Sequence, residues 1–262
     1  MLIGACSAFI AVDGYIATGF FALTIVAIGL GSAGCNGLTN YLDREVDAKM
    51  ARTQNRVLPS KRIDPPQKAL PLIISLIIIA LSLAWILNPL CFIIGCVGVA
   101  ASAIWRKTIS CTFFGIIAGC SPVLIGWFAM NTEFNIKILL ICLLVALWIP
   151  VHVWSVMIAR RDEYFKAGLK YFPLNLKVKT VVVMLLILSI LLYIVSNVLF
   201  VQTDLRYLYL IVANILGIYM IYANARLLRS TTSEASWKVY KLSSFPYLGV
   251  IFLVMCLDIW LR

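Results

Sequence analysis

Long apolar stretches alternate along this chain with short loops that hold almost all of its charge. Runs at about 18–40, 70–88, 91–105, 109–129, 136–159, 178–200, 206–228 and 243–261 approach or exceed the roughly 20 residues an α-helix needs to cross a bilayer's hydrocarbon. Eight spanning helices are therefore expected. The shorter run 1–12 predicts a ninth whose beginning is missing, and it lacks the charged flank of a signal peptide. Asn88 and Pro89 mark one tight turn between runs, and Lys107 to Ile109 another. No linker is long enough to separate domains. Residues 1–262 are read as one membrane-embedded, all-α unit, a polytopic bundle of about nine helices.

Composition agrees with the pattern. Of the 262 residues 63% are hydrophobic and only 13% charged, and the mean hydropathy is +1.00, more apolar surface than a soluble domain of this size can bury. The eight cysteines lie in or beside apolar runs without a C-x-x-C pair, and there is one histidine. Packed side chains fit that usage better than a zinc site or a disulfide framework.

Charge then orients the bundle. Counting from the partial first helix, the loops after helices two, four, six and eight contain every Lys and Arg except Lys137, Arg206 and Arg262. The positive-inside rule puts those four loops in the cytoplasm and the C-terminus opposite. With no transit peptide in view, a prokaryotic plasma membrane is the expected location. The net charge of +11 is accounted for by topology and calls for no nucleic-acid partner.

Two loops hold more charge than orientation requires. In NYLDREVDAKMARTQNRVL, residues 40–58, Asp43 and Asp47 stand one helical turn apart with Asn40 a turn before, so a helix would project all three from one face. Lys49, Arg52 and Arg56 follow, the two arginines again a turn apart. Carboxylates that hold Mg²⁺ beside guanidinium groups suit a phosphate-bearing substrate. Spacing alone fits equally well a solvated helix with i,i+4 ion pairs. The loop after helix six repeats the formula as Arg160, Arg161, Asp162 and Glu163, and favours the first reading. Acid clusters on one side can hold metal from both flanks of one diphosphate, and their placement four helices apart hints at internal duplication.

At these residues the chain resembles the intramembrane prenyltransferases of the UbiA superfamily and, within it, the protoheme IX farnesyltransferases. Asn40, Asp43, Asp47, Met50, Arg52, Thr53, Arg56 and Leu58 match one motif. Arg106, Lys107, Thr108, Ala118, Gly119, Pro122, Gly126 and Trp127 match a second. A third is matched by Trp148, Pro150, His152, Trp154, Arg161, Asp162, Tyr164, Ala167 and Gly168. Three motifs in order, with the helix count, extend the resemblance over essentially the whole chain.

The resemblance implies transfer of the farnesyl group of farnesyl diphosphate to a vinyl group of protoheme IX within the lipid bilayer, giving heme O and diphosphate, with a heme A synthase downstream. It implies Mg²⁺ as cofactor, with Asp43, Asp47 and Asp162 catalytic and Asn40, Asp43, Asp47, Asp162 and Glu163 as metal ligands. Lys49, Arg52, Arg56, Arg106, Lys107 and Arg161 would gather the diphosphate. His152, two and a half turns before Asp162 on the same expected helix, would meet the heme together with Trp154. Trp148, Trp154 and Tyr164 are candidates to steady an allylic cation.

Departures from the family pattern are Thr39 and Cys111, each where Asn is usual, Lys170–Tyr171 in place of Pro-Met, and the absence of a K-P-R segment before the first helix. Arg160 and Tyr164 stand where the broader superfamily has acids, which favours the heme branch over quinone, chlorin or lipid acceptors. A transporter would scatter its acids at mid-helix, and a heme chaperone has no use for two acid-rich loops.

Overall fold

The structure is a computed structural model that describes residues 1–104 and 111–262. The turn expected at Lys107 to Ile109 and the candidates Arg106 and Lys107 lie outside the described residues.

Backbone N–H and C=O groups in hydrocarbon have to pair within their own segment, so apolar runs of this length fold as helices. Each expected run does. The apolar helices are α1 (Leu2–Ala11), α2 (Thr18–Leu42), α4 (Leu70–Leu87), α5 (Pro89–Ile104), α6 (Cys111–Met130), α7 (Ile136–Ala159), α9 (Val178–Val201), α10 (Tyr207–Arg229) and α12 (Val250–Trp260). Between them lie α3 (Arg44–Asp47), α8 (Arg161–Lys166) and α11 (Ser233–Leu242). Among the described residues seven stretches are long and apolar enough to cross a membrane, one fewer than the eight expected. The difference is α5, which runs to the edge of the described residues. Many large apolar side chains face outward, among them Ile78, Trp85, Ile187, Ile194, Ile211 and Ile218, as lipid contact demands. This is an integral multi-pass membrane protein.

The final helix differs from its expected start at 243. It begins at Ser233 as α11, whose Glu234 and Lys238 pair at 2.8 Å on the exposed side while Ser236 and Val239 are buried. Such an amphipathic segment escapes a search for unbroken apolar runs. A π-helical segment, Ser243–Gly249, joins α11 to α12, with a non-helical ψ of −140° at Ser244 and Pro246 inside it.

Helices adjacent in sequence pack on one another, α2 on α4, α4 on α5, and onward through α6, α7, α9 and α10. The bundle closes where α12 packs on α1 and α1 on α6. That last crossing brings two backbones together. A Cβ on Gly4 would sit 2.6 Å from the Pro122 carbonyl oxygen, one on Gly126 would run into the Gly4 carbonyl, and Ser7 Oγ donates to the Val123 carbonyl at 2.8 Å. Small residues at a helix crossing are how membrane helices gain close packing. Replacing Gly126 with Ala should destabilise the protein by about 1–3 kcal/mol through overpacking, read as earlier thermal unfolding in detergent. An unchanged midpoint would show that the crossing is looser than described.

Candidate active site

Asp43 interrupts the helix that the spacing predicts. α2 ends at Leu42, Asp43 has φ −90° and ψ 0°, and α3 holds only Arg44–Asp47. The one-turn relation nevertheless survives, because the Asp47 N–H donates to the Asp43 carbonyl at 2.8 Å. Both carboxylates turn inward, Asp47 fully buried and Asp43 8% exposed. A buried carboxylate costs several kcal/mol unless cations or donors meet it. Arg56 meets this one. Its Nη1 donates to Asp47 Oδ2 at 2.9 Å and to Asn40 Oδ1 at 3.0 Å, while buried Thr53 donates its hydroxyl to the Asp47 carbonyl at 3.0 Å. The Thr39 hydroxyl donates to the Cys35 carbonyl at 2.9 Å, so its proton is committed to α2 itself. Residues 48–62 form successive turns and bends, so Arg52 and Arg56 do not share a helical face.

The second loop comes to the first. α7 ends at Ala159, Arg160 breaks the helix with φ −118° and ψ 24°, and α8 restarts the chain. The Arg52 backbone N–H then donates to Glu163 Oε1 at 2.8 Å, across 111 residues of sequence. Between the loops lies a cavity of about 580 Å³ lined by Lys49, Arg52, Arg160, Asp162, Glu163 and Lys166. Arg161 turns away from it, donating through Nη2 to the Leu174 and Leu176 carbonyls at 2.9 and 3.0 Å. That contact organises the segment after α8.

Two tyrosines link the acid clusters. Burial pushes the Tyr164 phenol up, with Arg52 opposing and Cys111, Glu163 and Asp47 adding to the rise. Burial likewise pushes Tyr171 up, helped by Cys111, Tyr164 and Asp43. Both phenols stay neutral and within electrostatic range of Asp43 or Asp47. Cys111 and Tyr171, both departures from the family pattern, lie close enough for each to bear on the other's ionisation. Their meeting has no signal in sequence spacing, since 60 positions separate them.

Among the described residues no three His, Cys, Asp or Glu side chains gather closely enough to hold one ion, so the two acid pairs stand as separate clusters. The convergence of Asn40 and Asp47 oxygens on the cationic Arg56 head, with Asp43 a turn away, nevertheless makes a hard-oxygen donor set that suits Mg²⁺. That ion needs few protein ligands when phosphate completes its shell.

His152 and Trp154 face different surroundings. They are two residues apart on α7, about 200° around the helix, and do not converge. Trp154 donates its indole N–H to Thr112 Oγ1 at 2.9 Å and meets Phe172 edge-on, ring centroids 5.2 Å apart. His152 lies between Trp148 and Tyr240, at centroid distances of 4.8 and 4.7 Å. Tyr240 in turn stacks on Trp237 at 4.8 Å, and the Arg160 guanidinium covers Trp237 at 4.8 Å. Arg160 thus lines the charged cavity and also caps an aromatic column leading to His152. Apart from Trp148 and His152, the members of that column carried no motif to mark them.

Residues 1–245 match the UbiA prenyltransferase family. A protoheme IX farnesyltransferase of Desulforudis audaxviator is 35% identical over 248 residues, covering 92% of this chain and 78% of that one. Among solved structures, that of a digeranylgeranylglyceryl phosphate synthase is similar with a TM-score of 0.82 at 21% identity, covering 99% of this chain and 92% of that chain. A UbiA homolog from Archaeoglobus fulgidus bound to GPP and Mg²⁺ is similar with a TM-score of 0.65 at 13% identity, covering 99% and 96%. At those identities the two structures speak for the fold alone. By the extent of the family match and the identity to its Desulforudis relative, the chain belongs to the UbiA prenyltransferase family.

Proposed function

We propose that this chain transfers the farnesyl group of farnesyl diphosphate to a vinyl group of protoheme IX. In that reaction the bond from farnesyl C1 to the diphosphate oxygen breaks. A C–C bond forms to the terminal vinyl carbon, and water adds to the inner carbon with loss of a proton, giving heme O and diphosphate. The observation that carries the reading is the charged cavity between two loops joined by the Arg52–Glu163 hydrogen bond, beside the buried acids Asp43 and Asp47. The choice of acceptor is supported by the Desulforudis relative, named a protoheme IX farnesyltransferase.

In this reading Lys49, Arg52 and Arg56 receive the diphosphate through charge-assisted hydrogen bonds. Arg160 and Lys166 join them from the facing loop, and Arg106 and Lys107 are added on the motif alone. Asn40, Asp43 and Asp47 would hold Mg²⁺ from one loop, and Asp162 and Glu163 from the other. Mg²⁺, when bound, neutralises the leaving diphosphate as a Lewis acid. Trp154, Tyr164 and Tyr171 supply a dry, electron-rich wall for the allylic cation. His152 contacts the porphyrin. Arg161 holds the loop after α8 in place. The basic loops face the cytoplasm of a prokaryotic plasma membrane, and a heme A synthase takes the product.

Asp47→Asn should lower turnover by about 100-fold or more, the scale of losing a principal electrostatic contact to the developing charge, while the protein still inserts in membranes. Assay of heme O formation in membranes of matched protein content checks this, and full activity in the variant would remove Asp47 from the metal site. The activity itself is tested by chromatography of hemes extracted from cells that lack their own heme O synthase and express this chain. Heme O should accumulate. Its absence, with the protein correctly inserted, would refute protoheme as acceptor.

A further inference from the structure

His152 is held on three sides. Trp148 stacks on one face of the imidazole with an interplanar angle of 16°, Tyr240 covers the other at 30°, and Nδ1 lies 3.1 Å from Ser243 Oγ. Nε2 has no hydrogen-bond partner among the described residues. The ring can neither flip nor tilt without breaking one of these contacts.

Ser243 decides which nitrogen holds the proton. A serine hydroxyl has a single hydrogen, and that of Ser243 has two candidate acceptors, the Tyr240 carbonyl at 2.8 Å and His152 Nδ1. If it goes to the carbonyl, Nδ1 donates to Ser243 Oγ and only an acceptor lone pair on Nε2 is left without a partner. If it goes to Nδ1, the proton moves to Nε2 and an N–H donor is left without one. The carbonyl is the nearer acceptor, at 2.8 Å against 3.1 Å for Nδ1. The first arrangement therefore wins.

The backbone of the same residue reinforces this. The Ser243 carbonyl accepts the Trp148 indole N–H. One residue at the kink thus aligns both the imidazole and the ring stacked on it.

We propose that Ser243 is a positioning residue that fixes His152 as its Nδ1–H tautomer and offers the Nε2 lone pair as a ligand to the porphyrin iron. Histidine ligands are commonly oriented by a hydrogen bond from the opposite ring nitrogen. The proposal rests on the reading of His152 as the porphyrin contact.

Because the chain has one histidine, labelling with ¹⁵N-imidazole histidine gives a single residue's signals. The purified, heme-free protein at mildly alkaline pH should show a protonated nitrogen at Nδ1 and a bare one at Nε2. An Nε2–H tautomer in the wild type overturns the proposal without any variant having to fold. Ser243→Ala should shift the tautomer balance toward Nε2–H and weaken ferric heme binding by about tenfold, the low end for losing such a partner, while Ser243→Thr restores both. In the ferrous heme complex the iron–histidine stretch should also move on Ser243→Ala. Unchanged shifts, affinity and stretch in that variant would refute Ser243 alone. Wild-type heme affinity in His152→Ala would instead refute the ligand reading of His152, and the proposal with it.

Discussion

Two carboxylates buried at the end of an apolar helix set the terms for the rest of this site. Asp43 and Asp47 are shielded from water where the chain leaves α2, and a carboxylate so placed is tolerable only if positive charge converges on it. The chain answers with the Arg56 bridge to Asn40 and Asp47, and it packs residues 43–53 into tight turns that close around buried Met50 and Thr53. Under the proposed function, Mg²⁺ bound with the diphosphate would meet the same requirement from outside. In this account, substrate binding replaces part of the compensation that the fold supplies by itself.

The opposite end of the bundle shows what charge looks like when it is closed off. Lys137 pairs with Asp13 at 3.0 Å, Arg262 approaches the same carboxylate at 3.9 Å, and the Arg206 backbone N–H is taken by Asp258. These pairs tie chain ends and loops together, and the cavity that Lys137 and Arg262 line there holds only about 10 Å³. At the acid-rich end the bases of two loops face a common space instead. Arg160, over Trp237, joins that space to the aromatic column around His152. Under the proposed function, the half for the anionic leaving group and the half for the flat aromatic acceptor would thereby share one residue.

Helix number and order were legible because hydrocarbon forces every apolar run into one conformation. α11 was not, since Glu234, Lys238 and Lys241 interrupt its hydropathy while its buried face is narrow. The inward turn of Asp43 and Asp47 was legible from a spacing that survives the break at Asp43. The turns after α3 separate Arg52 from Arg56, and Arg161 is drawn to backbone carbonyls, because irregular segments follow hydrogen-bond demands that periodicity does not encode. The divergence of His152 from Trp154 follows from helical geometry alone. The nearness of Cys111 to Tyr171 and the contacts of Ser243 with His152 and Trp148 depend on tertiary packing, which a single sequence does not display.

The central claim is that both loops grip one diphosphate. Equilibrium binding of a non-reactive farnesyl diphosphate analogue with Mg²⁺ tests it most directly, in Arg52→Gln, Lys166→Gln and, at the far end of the bundle, Lys137→Gln. Each of the first two should weaken binding by about tenfold or more, the scale of one lost hydrogen bond to a charged group, and the third should bind as the wild type does. Wild-type affinity in either Arg52→Gln or Lys166→Gln would contradict a site shared by the two loops.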